Sequence, residues 1–140
     1  MTLDGLKPGL RHSETITVSE AMAVPAQARI FDPAIQMPPV FATANMIAFI
    51  EWVCVHALAP YLGPHQRSVG TRVEVSHLGA TPIGMRVTAE VELVEINGRR
   101  LRFAVRCRDE AETIGEGHHE RTVIDHDRFI ARLARKQAAR

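Results

Sequence analysis

Hydrophobic and polar residues alternate along most of the chain, and one long apolar segment interrupts the alternation. The stretch "SETITVS" alternates from residue 13 and predicts a first β-strand. The segment that follows, residues 21–42, contains Pro25, Pro33, Pro38 and Pro39. Proline removes a backbone donor and fixes φ, so this segment predicts a lid-like loop with one short helical turn.

The apolar interruption, residues 43–58, has the spacing of a helix. Two rows of apolar residues recur at helical intervals, with Met46, Ile50, Val53 and Ala57 in one row and Ile47, Cys54 and Leu58 in the other. A helix that is apolar nearly all round is buried, so this segment predicts the central helix of the core. Thr43 lies where an N-cap belongs, and "APYLGPHQ" ends the helix.

The chain from residue 68 to residue 125 predicts antiparallel strands. The first of them, "SVGTRVEVSH", places alternate residues on the face toward the helix: Val69, Thr71, Val73, Val75 and His77. Asn97–Gly98 predicts a two-residue hairpin between the next two strands. The last strand, "ETIGEGHHERTVID", carries two glycines and predicts a bulge. Residues 127–140 predict a C-terminal helix with a basic end.

This order of elements predicts one α+β domain over residues 1–140. A curved antiparallel sheet wrapped around one long central helix is the hot-dog fold. A single sheet of this kind leaves an edge and part of a face uncovered, and pairing two protomers protects both. We therefore expect a homodimer with its active site near the subunit boundary.

Composition and charge exclude several classes of protein. A formal net charge of +1 argues against strong attraction to nucleic acid. Cys54 and Cys107 show no paired spacing and predict reduced, structural thiols, which fits a cytoplasmic protein. The N-terminus lacks the apolar core of a signal peptide. The longest apolar run contains Glu51 and is too short to span a bilayer, so we expect no membrane association.

The histidines predict no metal site by their spacing. His12, His56, His65 and His126 show no ligand spacing, and the adjacent His118 and His119 face opposite ways in a strand. The sequence also lacks the GxSxG, P-loop and GxGxxG motifs. We therefore expect neither a metal nor a nucleotide cofactor.

Glu51 is the residue that the pattern explains least. Its neighbours at helical spacing are all apolar, so no cation on the same helix offsets its charge. Glu51 is either a residue at the rim of the core or a catalytic carboxylate that acts as nucleophile or general base. Thr43 lies about 80° away around the helix axis. His77 ends the helix-facing stripe of its strand and would face Glu51 across the layer.

Several motifs resemble those of the fluoroacetyl-CoA thioesterase family, a group of small hot-dog acyl-CoA thioesterases. They are "VFAT", "EW" with "C" two residues later, "SVGT", "SHLGATP" and "GEGHHER", and the likeness extends from about residue 40 to residue 125. The resemblance implies an active site of Thr43, Glu51 and His77, with Gly70 in substrate binding. It implies hydrolysis of an acyl-CoA, with CoA as part of the substrate and no further cofactor.

The lid is where the chain departs from that family. Phenylalanines gate the fluorinated acyl group in the fluoroacetate-specific enzyme, whereas Ala34 and Met37 align with them here. Methionine adapts to varied apolar groups. We therefore expect Met37 to contact a broader or different short-chain acyl group. Arg121, like Arg99 and Arg100, either meets CoA phosphates or is an ordinary solvated strand residue.

Two other functions use the same fold and the same ligand class. One is a hydratase or dehydratase, although its usual Asp–His pair on the central helix is not apparent. The other is a non-catalytic acyl-CoA-binding dimer, which would keep its affinity for ligand when Glu51 is replaced.

Overall fold

The computed structural model of the chain describes residues 3–140. Its elements in chain order are β1 (Arg11–Thr17), α1 (Val24–Phe31), α2 (Thr43–Leu58), β2 (Gln66–Val75), β3 (Arg86–Asn97), β4 (Arg100–Asp109), β5 (Thr113–Asp125) and α3 (His126–Ala138). The five strands form one sheet in the order β1-β3-β4-β5-β2, and every neighbouring pair is antiparallel. The predicted α+β hot-dog architecture is confirmed.

The core lies between the sheet and one face of α2. The helix residues that are buried there are Met46, Phe49, Ile50, Val53, Cys54, Ala57 and Leu58. The opposite face is not covered within one chain, since Ala44 and Ala48 are exposed and Trp52 is 61% exposed. The prediction of a helix buried on all sides is therefore wrong for the single chain.

The segment predicted as a lid-like loop contains a regular helix. The helix α1 has eight residues and carries Pro25 in its first turn, where the missing N–H is not needed. Only residues 32–42 are irregular. Ile30 and Phe31, at the end of α1, are 75% and 82% exposed, so this segment presents apolar side chains outward.

Strand β2 lies at the edge of the sheet and contains a bulge that changes its faces. Gly70 pairs with Arg121 and Arg72 pairs with Glu120, so Thr71 has no partner. Before the bulge the residues facing α2 are therefore Ser68 and Gly70, not the predicted Val69 and Thr71. After it they are Val73 and Val75, as predicted. His77 lies beyond the end of the strand.

The turn between β3 and β4 is displaced by one residue from its predicted position. Asn97 pairs with Arg100, so the two loop residues are Gly98 and Arg99. Gly98 has φ +62°, as the first loop residue of a type II′ turn requires. The bulge predicted in β5 is present, because Cys107 pairs with Gly115 and the next pair omits Ile114.

The central helix has its predicted bounds, but the apolar segment does not end with it. It continues through a 3₁₀ turn, and Thr43–Tyr61 forms one segment of 19 residues that is long and apolar enough by composition to cross a membrane. The segment packs against the sheet through its buried face, as a core helix does. The argument that this run is too short to span a bilayer is therefore wrong.

Candidate active site

Glu51 finds its cation on the sheet rather than on its own helix. Glu51 Oε2 accepts a hydrogen bond from Arg121 Nη1 at 2.9 Å and lies 3.8 Å from His119 Nε2. The Arg121 side chain is 5% exposed and that of Glu51 is 37% exposed. The ion pair thus has its cation buried in the core and its carboxylate at the edge of solvent.

Arg121 is fixed by hydrogen bonds at each of its nitrogens. Its Nε donates to Ser68 Oγ at 2.9 Å, and its Nη2 donates to the Ser68 carbonyl at 2.8 Å. Its Nη1 donates to His119 Nε2 at 3.1 Å as well as to Glu51. A guanidinium held by so many partners has one orientation, and it therefore holds the Glu51 carboxylate in one place.

His119 is the least expected member of this cluster. It is 1% exposed, and its Nδ1 lies 2.8 Å from the Arg72 carbonyl. Because Nδ1 donates to that carbonyl, Nε2 is free to accept from Arg121, and the ring is neutral. Burial is the largest cause that lowers the pKa of His119; the Arg72 carbonyl opposes it and the Arg121 charge adds to it.

Gly70 on β2 lies directly beside the Glu51 carboxylate. A methyl group added at Gly70 would overlap Glu51 Oε2 and would lie 3.2 Å from His119 Cε1 and 3.4 Å from Arg121 Nη1. The backbone at Gly70 is not in the left-handed region, so glycine is needed here for space rather than for conformation.

Thr43 and His77 form a second cluster at the N-terminus of α2. Thr43 Oγ1 lies 2.7 Å from His77 Nδ1, a hydrogen bond whose direction depends on the imidazole tautomer. Ala42 is the N-cap and Thr43 is the first helical residue, so the prediction of Thr43 as N-cap is wrong and its hydroxyl serves His77 instead. Burial, the larger cause, lowers the pKa of His77, and a hydrogen bond with the Gly79 backbone opposes it.

The structure does not bring these two clusters together within one chain. Thr43 and Glu51 are eight residues apart on α2, which is about 12 Å along the axis. The expected contact of Glu51 with His77 is absent among residues 3–140, where Glu51 pairs with Arg121 and His77 with Thr43. His77 Nε2 is buried and has no hydrogen-bond partner within that range.

A cleft of about 600 Å³ opens beside Glu51 on the uncovered face of α2. Its lining includes Ala48, Trp52, Ser68 and Arg121. The apolar residues suit an acyl chain or a pantetheine arm, and the ion pair supplies the polar end. A larger groove of about 890 Å³ crosses the outer face of the sheet, but it contains neither Glu51 nor His77.

The remaining predicted site residues have different outcomes. Arg121 is 4% exposed and paired with Glu51, so it is not an ordinary solvated strand residue; it also lines the cleft, and its contact with the substrate stays a prediction. Arg99 and Arg100 are exposed and stay candidates for phosphate contact. Met37 is 39% exposed on the irregular segment after α1, and its contact with the acyl group stays a prediction.

Sequence reasoning did not identify His119 as a partner of Glu51. The signal for it was present in "HHERTV", where strand alternation places His119, Arg121 and Val123 on one face. Two polar residues beside a buried valine need a buried partner, and Glu51 was the unpaired acid available.

The fold and the cluster around Glu51 define a small hot-dog protein with a carboxylate beside an apolar cleft. The family model for fluoroacetyl-CoA-specific thioesterases matches residues 18–127. A fluoroacetyl-CoA thioesterase of Streptantibioticus cattleyicolor is 39% identical over 136 residues, which cover 97% of this chain and 98% of that protein. The chain belongs to the fluoroacetyl-CoA-specific thioesterase family, and its class of activity is thioester hydrolysis.

Solved structures agree with that assignment. A structure of a fluoroacetyl-CoA thioesterase has a TM-score of 0.91 at 39% identity, covering 95% of this chain and 98% of its own. A phenylalanine-to-alanine variant of a fluoroacetyl-CoA-specific thioesterase, solved with fluoroacetate and CoA, has a TM-score of 0.85 at 39% identity and covers 89% and 99%. A hot-dog-like protein of Thermanaerovibrio acidaminovorans, 22% identical with a TM-score of 0.81 over 94% and 93%, supports the fold alone.

Proposed function

We propose that this protein hydrolyses a short-chain acyl-CoA to the free acid and CoA. The observation that carries the proposal is the Glu51 carboxylate, held by Arg121 at the end of an apolar cleft. In the reaction the acyl C–S bond breaks, a water oxygen bonds to the acyl carbon, and the departing thiolate takes a proton. CoA enters as part of the substrate, and we expect no further cofactor.

Glu51 would act on the thioester carbonyl, either as the nucleophile or as the base that activates water. Its fixed partner Arg121 would keep the carboxylate aimed while the acyl group enters the cleft. Backbone N–H groups near Gly70 would polarise the thioester oxygen, since the adjacent bulge leaves Thr71 outside the regular ladder.

His77 and Thr43 would serve proton transfer and the positioning of substrate. A lowered pKa keeps His77 neutral at neutral pH, so it can accept a proton. Its buried Nε2 makes no hydrogen bond within residues 3–140, so it is available to a group that arrives with substrate.

The separation of the two clusters favours a homodimer as the working unit. The edge strand β2 pairs only with β5, and Val73 on it is 42% exposed. Trp52 lies on the uncovered face of α2, so both surfaces would gain from a second copy. We infer that pairing brings the Thr43–His77 cluster of one protomer toward Glu51 of its partner.

We expect the acyl preference to be broader than fluoroacetyl. Met37 stands where the fluoroacetate-specific enzyme carries an aromatic gate, and a flexible thioether fits several small acyl groups. We also expect the protein to act in the cytoplasm, away from membranes and nucleic acid.

The first experiment is the release of free thiol from acetyl-, fluoroacetyl-, propionyl-, butyryl- and hexanoyl-CoA. We compare wild type with Glu51→Gln and His77→Ala, and with the exposed Glu95→Gln as a matched control. Turnover of at least one ester, lost in both site variants and kept in the control, supports the thioesterase. Binding of CoA esters without any thiol release would contradict the thioesterase and identify a non-catalytic acyl-CoA-binding protein.

Mixing the two inactive variants tests whether the site is shared between protomers. If Glu51 and His77 act across the interface, half of the randomly mixed dimers contain one intact site, and about a quarter of wild-type activity returns. If both residues act within one chain, the mixture stays inactive and the shared site is ruled out.

A further inference from the structure

Three side chains with metal-ligating atoms meet where β1 crosses the last turns of α2. His12 Nε2 lies 2.8 Å from Glu14 Oε2, and His56 Nδ1 lies 2.6 Å from the same oxygen. The three ligand atoms all lie within 4.8 Å of one another. Forty-two residues separate Glu14 from His56, so no spacing rule could have predicted this cluster.

The position of the cluster in the fold is unusual for polar residues. His12, Glu14 and Ile16 share the partly buried face of β1, which packs against α2. The Glu14 and His12 side chains are only 31% and 37% exposed. Apolar side chains would cover α2 without the desolvation cost of polar groups, so packing alone does not explain His12 and Glu14 at these positions.

One oxygen of Glu14 holds the two imidazoles together. Glu14 Oε2 accepts a hydrogen bond from His12 Nε2 and another from His56 Nδ1. When a metal binds, each of these nitrogens would turn from the carboxylate to the ion and give up its proton.

We propose that His12, Glu14 and His56 bind a divalent transition-metal ion of the zinc class. Two imidazole nitrogens and a carboxylate oxygen are a ligand set that such ions take, while Mg²⁺ and Ca²⁺ prefer oxygen alone. Bonds of 2.0–2.1 Å in a tetrahedral site put neighbouring ligand atoms about 3.3 Å apart. The observed distances of 2.6 and 2.8 Å therefore need to lengthen by about 0.7 and 0.5 Å.

The bound ion would join the edge strand β1 to the central helix and leave one coordination position for water. The cluster contains none of Thr43, Glu51 and His77, so its role does not depend on the proposed thioesterase reaction. A metal here is a clamp on the fold, and it would stabilise the folded chain in proportion to its occupancy.

Trp52 provides a direct reporter for this site. It is the only tryptophan in the chain, and its ring lies 5.9 Å from that of His56. We would titrate the tag-free, metal-stripped protein with Co²⁺ and Ni²⁺ and follow tryptophan fluorescence, and with Zn²⁺ and follow the melting temperature. The variants are His12→Gln, Glu14→Gln and His56→Gln, with the exposed His65→Gln as the matched control.

We expect saturable quenching at one ion per chain, weakened at least about tenfold in each cluster variant and unchanged in His65→Gln. Zn²⁺ at a hundredfold excess over its dissociation constant should raise the wild-type melting temperature by roughly 5–10 °C. The melting temperature without metal shows whether each variant is folded. Absence of saturable quenching in wild type, or equal quenching in folded cluster variants, overturns the proposal.

Discussion

Replacing Gly70 by alanine tests whether the position of the Glu51 carboxylate determines turnover. The added methyl group would overlap Glu51 Oε2, the end of a side chain that can move, rather than any backbone atom. Non-bonded heavy atoms reach their optimum at roughly 3.5 Å, so the oxygen must retreat by about 1 Å. Movement straight away from the added methyl group lengthens the contact with Arg121 from 2.9 Å to roughly 3.3 Å, which weakens this hydrogen bond and displaces the carboxylate.

We expect Gly70→Ala to lower kcat/KM and to leave the stability of the folded chain nearly unchanged. A misplacement of about 1 Å in a catalytic group costs up to a hundredfold, so kcat/KM should fall by about 10- to 100-fold, or ~1.4–2.7 kcal/mol. The effect on folding should be small, because the buried Arg121 keeps its acid at a slightly longer distance and the Glu51 side chain is 37% exposed and screened by solvent. Alanine also restricts the unfolded chain at this extended position. The melting temperature should therefore stay within a few degrees of wild type.

The assay is thiol release with the best acyl-CoA, measured for Gly70→Ala, Glu51→Gln and the double variant. If Gly70 acts through Glu51, the double variant is no slower than Glu51→Gln alone, so the two losses are not additive. Additive losses would place the effect of Gly70 on the substrate instead. Near wild-type kcat/KM in Gly70→Ala would refute the argument that this carboxylate needs its observed position.

Three further predictions use the same protein. Gly115→Ala should prevent folding or lower the free energy of unfolding by about 3 kcal/mol or more, because its methyl group would overlap the Ser76 carbonyl. Thermal melting of Gly115→Ala and Gly70→Ala compares the two substitutions. The pKa of His77 lies below 6.5, so the acidic limb of kcat/KM should have its midpoint below pH 6.5; a midpoint above it contradicts a neutral His77. Buried, neutral His119 has its pKa lowered too, so protonation favours the unfolded chain, and stability should fall as pH drops below about 6.5. His119→Gln should flatten that dependence of the melting temperature on pH.

Local pattern was enough to predict the five strands and the central helix, but neither α1 nor the faces of the edge strand β2. The helix spans Thr43–Leu58, the residues its apolar spacing indicated, because a helix buried against a sheet must repeat apolar residues at that interval. Alternation along β2 failed before the bulge at Thr71, because the extra residue reverses which side chains face α2 on that side, while Val73 and Val75 keep their predicted face. Nothing in "SVGTRVEV" shows that bulge, which forms where β2 must pair with β5.

The pairing of Glu51 with Arg121 was not predicted from the sequence, although both residues carried a signal for it. Burial predicts a partner for Glu51, and the sequence offers His77 on the next strand, while it leaves Arg121 between a contact with CoA phosphates and a solvated position. An arginine on the same strand face as Val123, which is 0% exposed, is itself in need of an acid. A buried acid and a buried base on separate elements each predict the other, so unpaired charges should be matched across the whole fold before either is assigned to solvent. The same reasoning applies to Glu14 between His12 and His56, where only the crossing of β1 and α2 reveals the cluster.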